Sequence, residues 1–273
     1  MTLTDIGAGT VLDTAISGDE GGEPLLMICG TSQSYKLWTA LAEAFAANGY
    51  RVICYDHRGM GDSTRGTAEI SAGGLATDAV ALLDALGIGR AHVLGWSLGS
   101  ATAQELAIAH PERVGALVLY ATWDHVDNFQ RAILAGLRGA WNCGDREEAM
   151  AAIGMAFSPE LLNSEAFEAL MAEALPTFPQ TEVQIRTTAE QWDADFAHDS
   201  RGRLESITAP TLVVAGEQDL LTPPWRGQAV ADAIPGARLE MFKGPGSSHA
   251  VAFERPEEFV PLVAGFLGEH ELA

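Results

Sequence analysis

The sequence predicts an α/β protein with a mostly parallel central sheet, helices on both faces of it, and a helical cap insertion. Three observations lead there. Between residues 10 and 120, short apolar runs alternate with stretches of helical spacing, the pattern of parallel strands joined by crossover helices. From about Trp123 to Leu204 the alternation stops and helical patches follow one another. It resumes at Pro210. A chain of 273 residues is long enough for a large core in one or two domains.

The elements follow in order. Thr10 to Ile16 alternates loosely and reads as an early strand, and Asp19 to Glu23 is a turn cluster. Pro24 to Cys29 is a buried strand that runs into Gly30-Thr31-Ser32-Gln33-Ser34. Leu37 to Ala47 has apolar residues at helical spacing, and Asn48-Gly49 signals its end. Arg51 to Tyr55 is a short buried strand before the Gly-rich loop Asp56 to Ser63. Leu75 to Leu86 is an amphipathic helix closed by Gly87. Ala91 to Leu94 is a strand, Leu98 to His110 a helix, and Val114 to Tyr120 another buried strand.

Then come helical patches at Val126 to Gly139, Arg146 to Phe157, Pro159 to Leu175 and Glu182 to Ala197. Pro210 to Ala215 is a strand, Gln228 to Ile234 a helix, Arg238 to Phe242 the last strand and Pro256 to Leu267 the last helix. Residues 1–122 and 205–273 thus form one core domain, and residues 123–204 a helical cap inserted in it.

Composition narrows the function classes. The chain is 47% hydrophobic and 19% charged, a soluble globular balance. Its formal net charge of −21 repels phosphate backbones and anionic membranes, so neither nucleic acid nor membrane is an expected partner. Met1 to Gly22 carries no basic residue and no long apolar core, so no secretory leader is expected. No apolar run approaches the roughly 18 residues of a membrane span. Cys29, Cys54 and Cys143 have no metal-ligand spacing, and no dinucleotide fingerprint occurs, so no metal and no cofactor is expected. A reduced cytoplasmic enzyme is the simplest reading.

The chemistry centres on Gly95-Trp96-Ser97-Leu98-Gly99, a G-x-S-x-G between a strand and a helix. Such a turn lifts the serine hydroxyl out at the carboxyl edge of the sheet. The two glycines allow strand and helix backbones to approach. A serine hydroxyl is a poor nucleophile until a base takes its proton and a third group orients that base. In this kind of sheet the chain order is serine, acid, histidine. Of the seven histidines only His249 and His270 come late enough. His270 lies in a polar tail, whereas His249 lies in a loop directly after the last strand, so His249 is the expected base. Asp219 sits in the turn after the Pro210 to Ala215 strand and is the expected acid; Glu217 and Asp124 are the competitors. Two backbone N–H groups, those of Leu98 and Thr31, are expected to hold the oxyanion, each donor contributing about 3 kcal/mol.

On these residues the chain resembles the α/β-hydrolase superfamily over nearly its whole length. The landmarks are Cys29-Gly30-Thr31, Asp56-His57-Arg58-Gly59-Met60-Gly61-Asp62-Ser63, the Ser97 pentapeptide, Gly216-Glu217-Gln218-Asp219, and Ser248-His249 followed by Glu254-Arg255-Pro256. The resemblance is to the small esterase and lactonase branch, which includes enol-lactonases and cofactor-free haloperoxidases. It implies a serine hydrolase acting on a small-molecule carboxylic ester or lactone, with a thioesterase or cofactor-free haloperoxidase-type activity, or a non-catalytic ligand-binding member of the fold, as the alternatives. Ser97 stands where dehalogenases and epoxide hydrolases of this fold carry a carboxylate. The family's usual His-Gly before the oxyanion donor reads Cys29-Gly30 here. In the loop from Asp56 to Ser63, Asp56, Arg58 and Gly61 match positions that are structural in the family. The aromatic residues of the cap and of the strand ends suggest an apolar pocket, with Trp38, Trp96, Trp123, Trp141 and Phe178 as candidate walls.

Overall fold

The computed structural model describes residues 2–142 and 146–272. Its strands are β1 (Thr2–Asp5), β2 (Val11–Ser17), β3 (Glu23–Ile28), β4 (Tyr50–Tyr55), β5 (Ala91–Trp96), β6 (Val114–Tyr120), β7 (Thr211–Gly216) and β8 (Arg238–Phe242). They form one sheet in the order β1-β2-β4-β3-β5-β6-β7-β8. From β4 through β8 every pairing is parallel, while β1 and β2 join antiparallel at one edge. The pattern reading begins the sheet at Thr10. The structure adds β1, whose Thr-Leu-Thr-Asp is too short, polar and exposed to carry an apolar signal.

Alternation along the strands sorts the core into two layers. Leu25, Met27, Val52, Cys54, Leu94 and Val118 face one side, under α1 (Thr39–Ala47) and α11 (Pro256–Gly268). Leu26, Ile28, Ile53, Tyr55, Val93, Leu117 and Leu119 face the other, under α2 (Ala72–Ala85), α3 (Leu98–Ala109) and α9 (Pro224–Ala233). Strands covered on both faces read as continuous apolar runs, and all of β5 and β6 is buried. Cys29 and Cys54 are buried free thiols, and Cys143 lies outside the described residues.

Neighbours β6 and β7 pair directly, so the chain between them leaves the sheet and returns. There lie α4 (Asn128–Asn142), α5 (Arg146–Ile153), α6 (Pro159–Leu162), α7 (Ala166–Ala174) and α8 (Glu182–Ala197). Trp123, Leu134, Leu137, Trp141, Met150, Phe178 and Trp192 build an apolar cluster there, closed from the sheet side by Ala72, Ala101 and Leu221. The patch from Pro159 to Leu175, expected as one helix, is two. Asn163 Nδ2 donates to the Pro159 carbonyl and Ser164 Oγ to that of Leu161, side-chain bonds that end the first helix. Helix α8 starts as its sequence allows, with a capping box between Thr181 and Gln184. No helix among the described residues is long and apolar enough to cross a membrane. A short helix, α10 (Val251–Glu254), follows the His249 loop.

Backbone packs closely against backbone at the β5–α3 turn. A Cβ on Gly95 would stand 2.2 Å from the Gly99 carbonyl oxygen, and one on Gly99 2.0 Å from that of Ile28. Backbone cannot yield as a flexible side chain does. Gly99→Ala is therefore expected to lower stability by about 3 kcal/mol, at the upper end for overpacking. Urea unfolding measures it, and a loss below about 1 kcal/mol would show that the two elements are not in contact.

Candidate active site

Ser97 occupies the corner between β5 and α3 with φ +56° and ψ −122°, a left-handed position that L-residues rarely adopt. Its backbone is fixed from both sides. The N–H donates to the Tyr120 carbonyl at 3.0 Å, and the carbonyl accepts from Ser100 and Ala101 at 2.7 and 3.1 Å. The side chain caps nothing, although it stands at the N-cap position where serine usually does. The hydroxyl is thus left free of the helix, on the wall of a cavity.

His249 lines the same cavity. Its Nδ1 lies 2.9 Å from Asp219 Oδ2. A carboxylate can only accept, so Nδ1 donates, and in the neutral ring this tautomer leaves the lone pair on the other nitrogen. Asp219 is held in turn. Oδ1 accepts the N–H groups of Leu221 and Thr222, both at 2.8 Å, and Oδ2 accepts the Thr222 hydroxyl at 2.6 Å. The carbonyl of His249 accepts from Trp96 Nε1 at 3.0 Å and from the Tyr120 hydroxyl at 2.5 Å. Both donors stand at the ends of β5 and β6, so His249 is hung from the strands beside Ser97. Ser97 Oγ makes no hydrogen bond to any described residue; in serine–histidine pairs this contact commonly tightens once substrate is bound.

The competing acids are engaged elsewhere. Asp124 pairs with buried Arg226 and accepts the His125 N–H. Glu217 accepts the Gly244 N–H at 3.0 Å and steadies the start of the His249 loop. His270 packs against Phe266, on the last turn of the chain. The Asp56 loop is structural as well. Asp56 accepts the Tyr35 N–H at 2.6 Å and the Ser34 hydroxyl at 3.1 Å, burial pushes its pKa up to about 7, and Arg58 is paired with Asp78.

The loop after β3 supplies donors. Gly30 N–H goes to Gln33 Oε1 at 2.9 Å, Gln33 N–H to the Gly30 carbonyl at 3.4 Å, and Ser32 N–H to Gln191 Oε1 at 2.9 Å. Among residues 30–33 only the Thr31 N–H has no acceptor among the described residues. The Leu98 N–H, in the first turn of α3, has none either, as helix geometry requires. Both Thr31 and Ser97 line the cavity, so two unengaged amides flank the serine.

Ser32 and Gln33 also line the cavity, and the other walls are apolar and include Trp96, Leu137, Phe157, Phe178 and Trp192. Trp38, Trp123 and Trp141, expected as walls, are not. Trp38 stands behind Trp96, ring centroids 5.5 Å apart, with Nε1 donating to Gln33. Trp123 packs on His198, and Trp141 is buried in the helical cluster. A place near a strand end does not decide which side of the chain an indole packs on. Pattern reading missed Gln33, Thr222, Gln191 and Asp195. Each is a polar residue in a turn or helix whose default reading is solvated surface, and no spacing marks them. Among the described residues no group of His, Cys, Asp and Glu is arranged to hold a metal ion.

A profile of the alpha/beta hydrolase fold matches residues 23–256. The RutD protein of Azorhizobium caulinodans, which its name assigns to carbamate hydrolysis, is 32% identical over 251 residues, covering 91% of this chain and 92% of its own. Rhodomycin D methylesterase DauP of a Streptomyces species is 32% identical over 266 residues, covering 88% and 89%. The crystal structure of the enol-lactonase from Burkholderia xenovorans superposes with a TM-score of 0.85 at 26% identity, covering 97% of this chain and 99% of that one.

One buried carboxyl beside the site titrates in a testable range. Asp195, fully buried with Thr31 Oγ1 as its one side-chain partner among the described residues, has its pKa pushed up to about 8 by desolvation. A carboxyl whose folded pKa lies above its unfolded value of about 3.9 stabilises below the unfolded pKa and loses that contribution as pH rises through the folded one. Between about pH 4 and 8 wild type should therefore lose stability relative to Asp195→Asn, on the order of 1 kcal/mol per pH unit. Urea unfolding of both proteins at pH 5 and pH 8 checks this. A difference independent of pH would mean that the carboxyl is solvated.

Proposed function

Since the chain belongs to the α/β-hydrolase fold family, we propose that it is a serine hydrolase cleaving a small-molecule carboxylic ester or lactone through an acyl-enzyme. The observation that carries the reading is the convergence of Ser97, strained and unengaged, and of His249, held from behind by Asp219, on one cavity.

The steps follow from the groups present. Ser97 Oγ attacks the substrate carbonyl as its proton passes to His249. The tetrahedral oxyanion is held by the N–H groups of Thr31 and Leu98, donors fixed before substrate arrives. Asp219 holds the ring in the correct tautomer and stabilises the imidazolium. His249 then gives its proton to the departing alkoxide, which in a lactone stays tethered to the acyl group. Water, deprotonated by His249, attacks the ester on Ser97, and the acid is freed as His249 returns that proton to the departing Ser97 Oγ. The apolar walls favour an apolar acyl group or ring over a sugar or phosphate ester. The names of DauP and of the Burkholderia enzyme, a methylesterase and an enol-lactonase, support that choice. The segment from 123 to 204 acts as the cap, since it supplies walls such as Leu137, Phe178 and Trp192 but none of the proposed reacting groups.

Hydrolysis of a panel of p-nitrophenyl esters and lactones of graded acyl length tests the reading. Ser97→Ala should abolish turnover with the fold intact. Asp219→Asn should lower kcat by about 10³ to 10⁴, because the amide imposes the wrong tautomer. Asp124→Asn, which loosens only the Arg226 pair, should keep kcat within about threefold while lowering stability. Turnover by folded Ser97→Ala, or a larger kcat loss in the Asp124 variant, would contradict the assignment.

A further inference from the structure

Helix α8 touches the loop after β3 at two points on one face. Gln191 and Asp195, four residues apart and hence one turn apart, accept hydrogen bonds from consecutive loop residues. Gln191 Oε1 takes the Ser32 N–H at 2.9 Å, and Asp195 Oδ2 takes the Thr31 hydroxyl at 2.6 Å. Both side chains are buried. Ser32 sits at φ +65°, a conformation a serine holds only under constraint.

Packing gives no reason for these groups. Asp195 Oδ1 and Gln191 Nε2 are buried without a hydrogen-bond partner among the described residues. A carboxyl desolvated with no cation beside it destabilises the fold, where leucine would pack at no such penalty. What the two side chains do is hold the loop. The amides of Gly30, Ser32 and Gln33 are all engaged, and the Thr31 N–H between them is left for substrate.

We propose that Gln191 and Asp195 are positioning residues that clamp the Thr31–Ser32 segment from α8 and so fix the Thr31 N–H as an oxyanion donor. This rests on the serine-hydrolase reading. The clamp makes the oxyanion site depend on how the segment between β6 and β7 is seated, so that donor geometry and pocket wall are set by one helix. Trp192, between the two clamp residues, lines the cavity.

The test is steady-state kinetics on p-nitrophenyl butyrate, with inhibition by phenylboronic acid as a mimic of the tetrahedral state. Asp195→Leu should lower kcat about tenfold and leave KM within about twofold, because only transition-state contacts are lost. Inhibition should weaken by the same factor. Asp195→Asn, which keeps an acceptor for Thr31, should recover most of the rate, and Gln191→Leu should behave like Asp195→Leu. Thr31→Val should match Asp195→Leu, and the double variant should be no slower than either, since all three break one contact. The proposal is overturned by wild-type kcat in folded Asp195→Leu, by a loss confined to KM, or by multiplicative losses in the double variant. Ser97→Ala run alongside separates the two claims: turnover there defeats the hydrolase reading itself, whereas its inactivity with unaltered clamp variants defeats only the clamp.

Discussion

The contact on which the rest depends is the crossing of backbone at the β5–α3 turn. Gly99 lies against the Ile28 and Cys29 carbonyls, and Gly95 against Gly99 itself. That approach forces the chain through φ +56° at Ser97 and stands the residue at the carboxyl edge of the sheet. It also brings the end of β3 to the start of α3. The loop carrying Thr31 and the first amides of the helix therefore meet over one point. The backbone strain, on the order of 1–3 kcal/mol for such a residue, is borne by the bonds from Ser97 to Tyr120, Ser100 and Ala101.

Around that point the structure divides its polar groups by sheet edge. Asp219 accepts from two amides and a hydroxyl as well as meeting His249, so its carboxyl is fixed in place. Asp124, at the end of the neighbouring strand, is diverted to Arg226. Two strand ends thus carry an aspartate each, and hydrogen-bond geometry decides between them. The segment from 123 to 204 reaches both sides of the site: Ala156 accepts the Ala250 N–H at 3.1 Å beside His249, and Gln191 and Asp195 hold the Thr31 loop.

The sequence reveals these features to different depths. Strands covered on both faces announce themselves as apolar runs, as Val114–Tyr120 does, whereas Arg238–Phe242, at the sheet edge and partly exposed, shows itself by alternation. Positions set by steric exclusion, such as Gly95 and Gly99, are legible because few residues fit. Residues set by tertiary contact are not. Trp38 and Trp96 look alike in the sequence, yet one backs the wall that the other forms. Asp195 sits in a helix full of charge, and nothing local tells it from its exposed neighbour Asp193. The Cys29-Gly30 departure is similar: the carbonyl of Cys29 meets His57 Nε2 at 2.9 Å, a contact made across the sheet edge.

The central claim is that Ser97 is an activated nucleophile. Its most direct test is labelling with a fluorophosphonate, read by intact mass and peptide mapping, in wild type and in His249→Ala. The account predicts one adduct per wild-type chain, on Ser97, and none in the histidine variant, since an unactivated hydroxyl does not attack phosphorus at a useful rate. Absence of an adduct in folded wild type, or an adduct on another serine of the cavity such as Ser32, would contradict it.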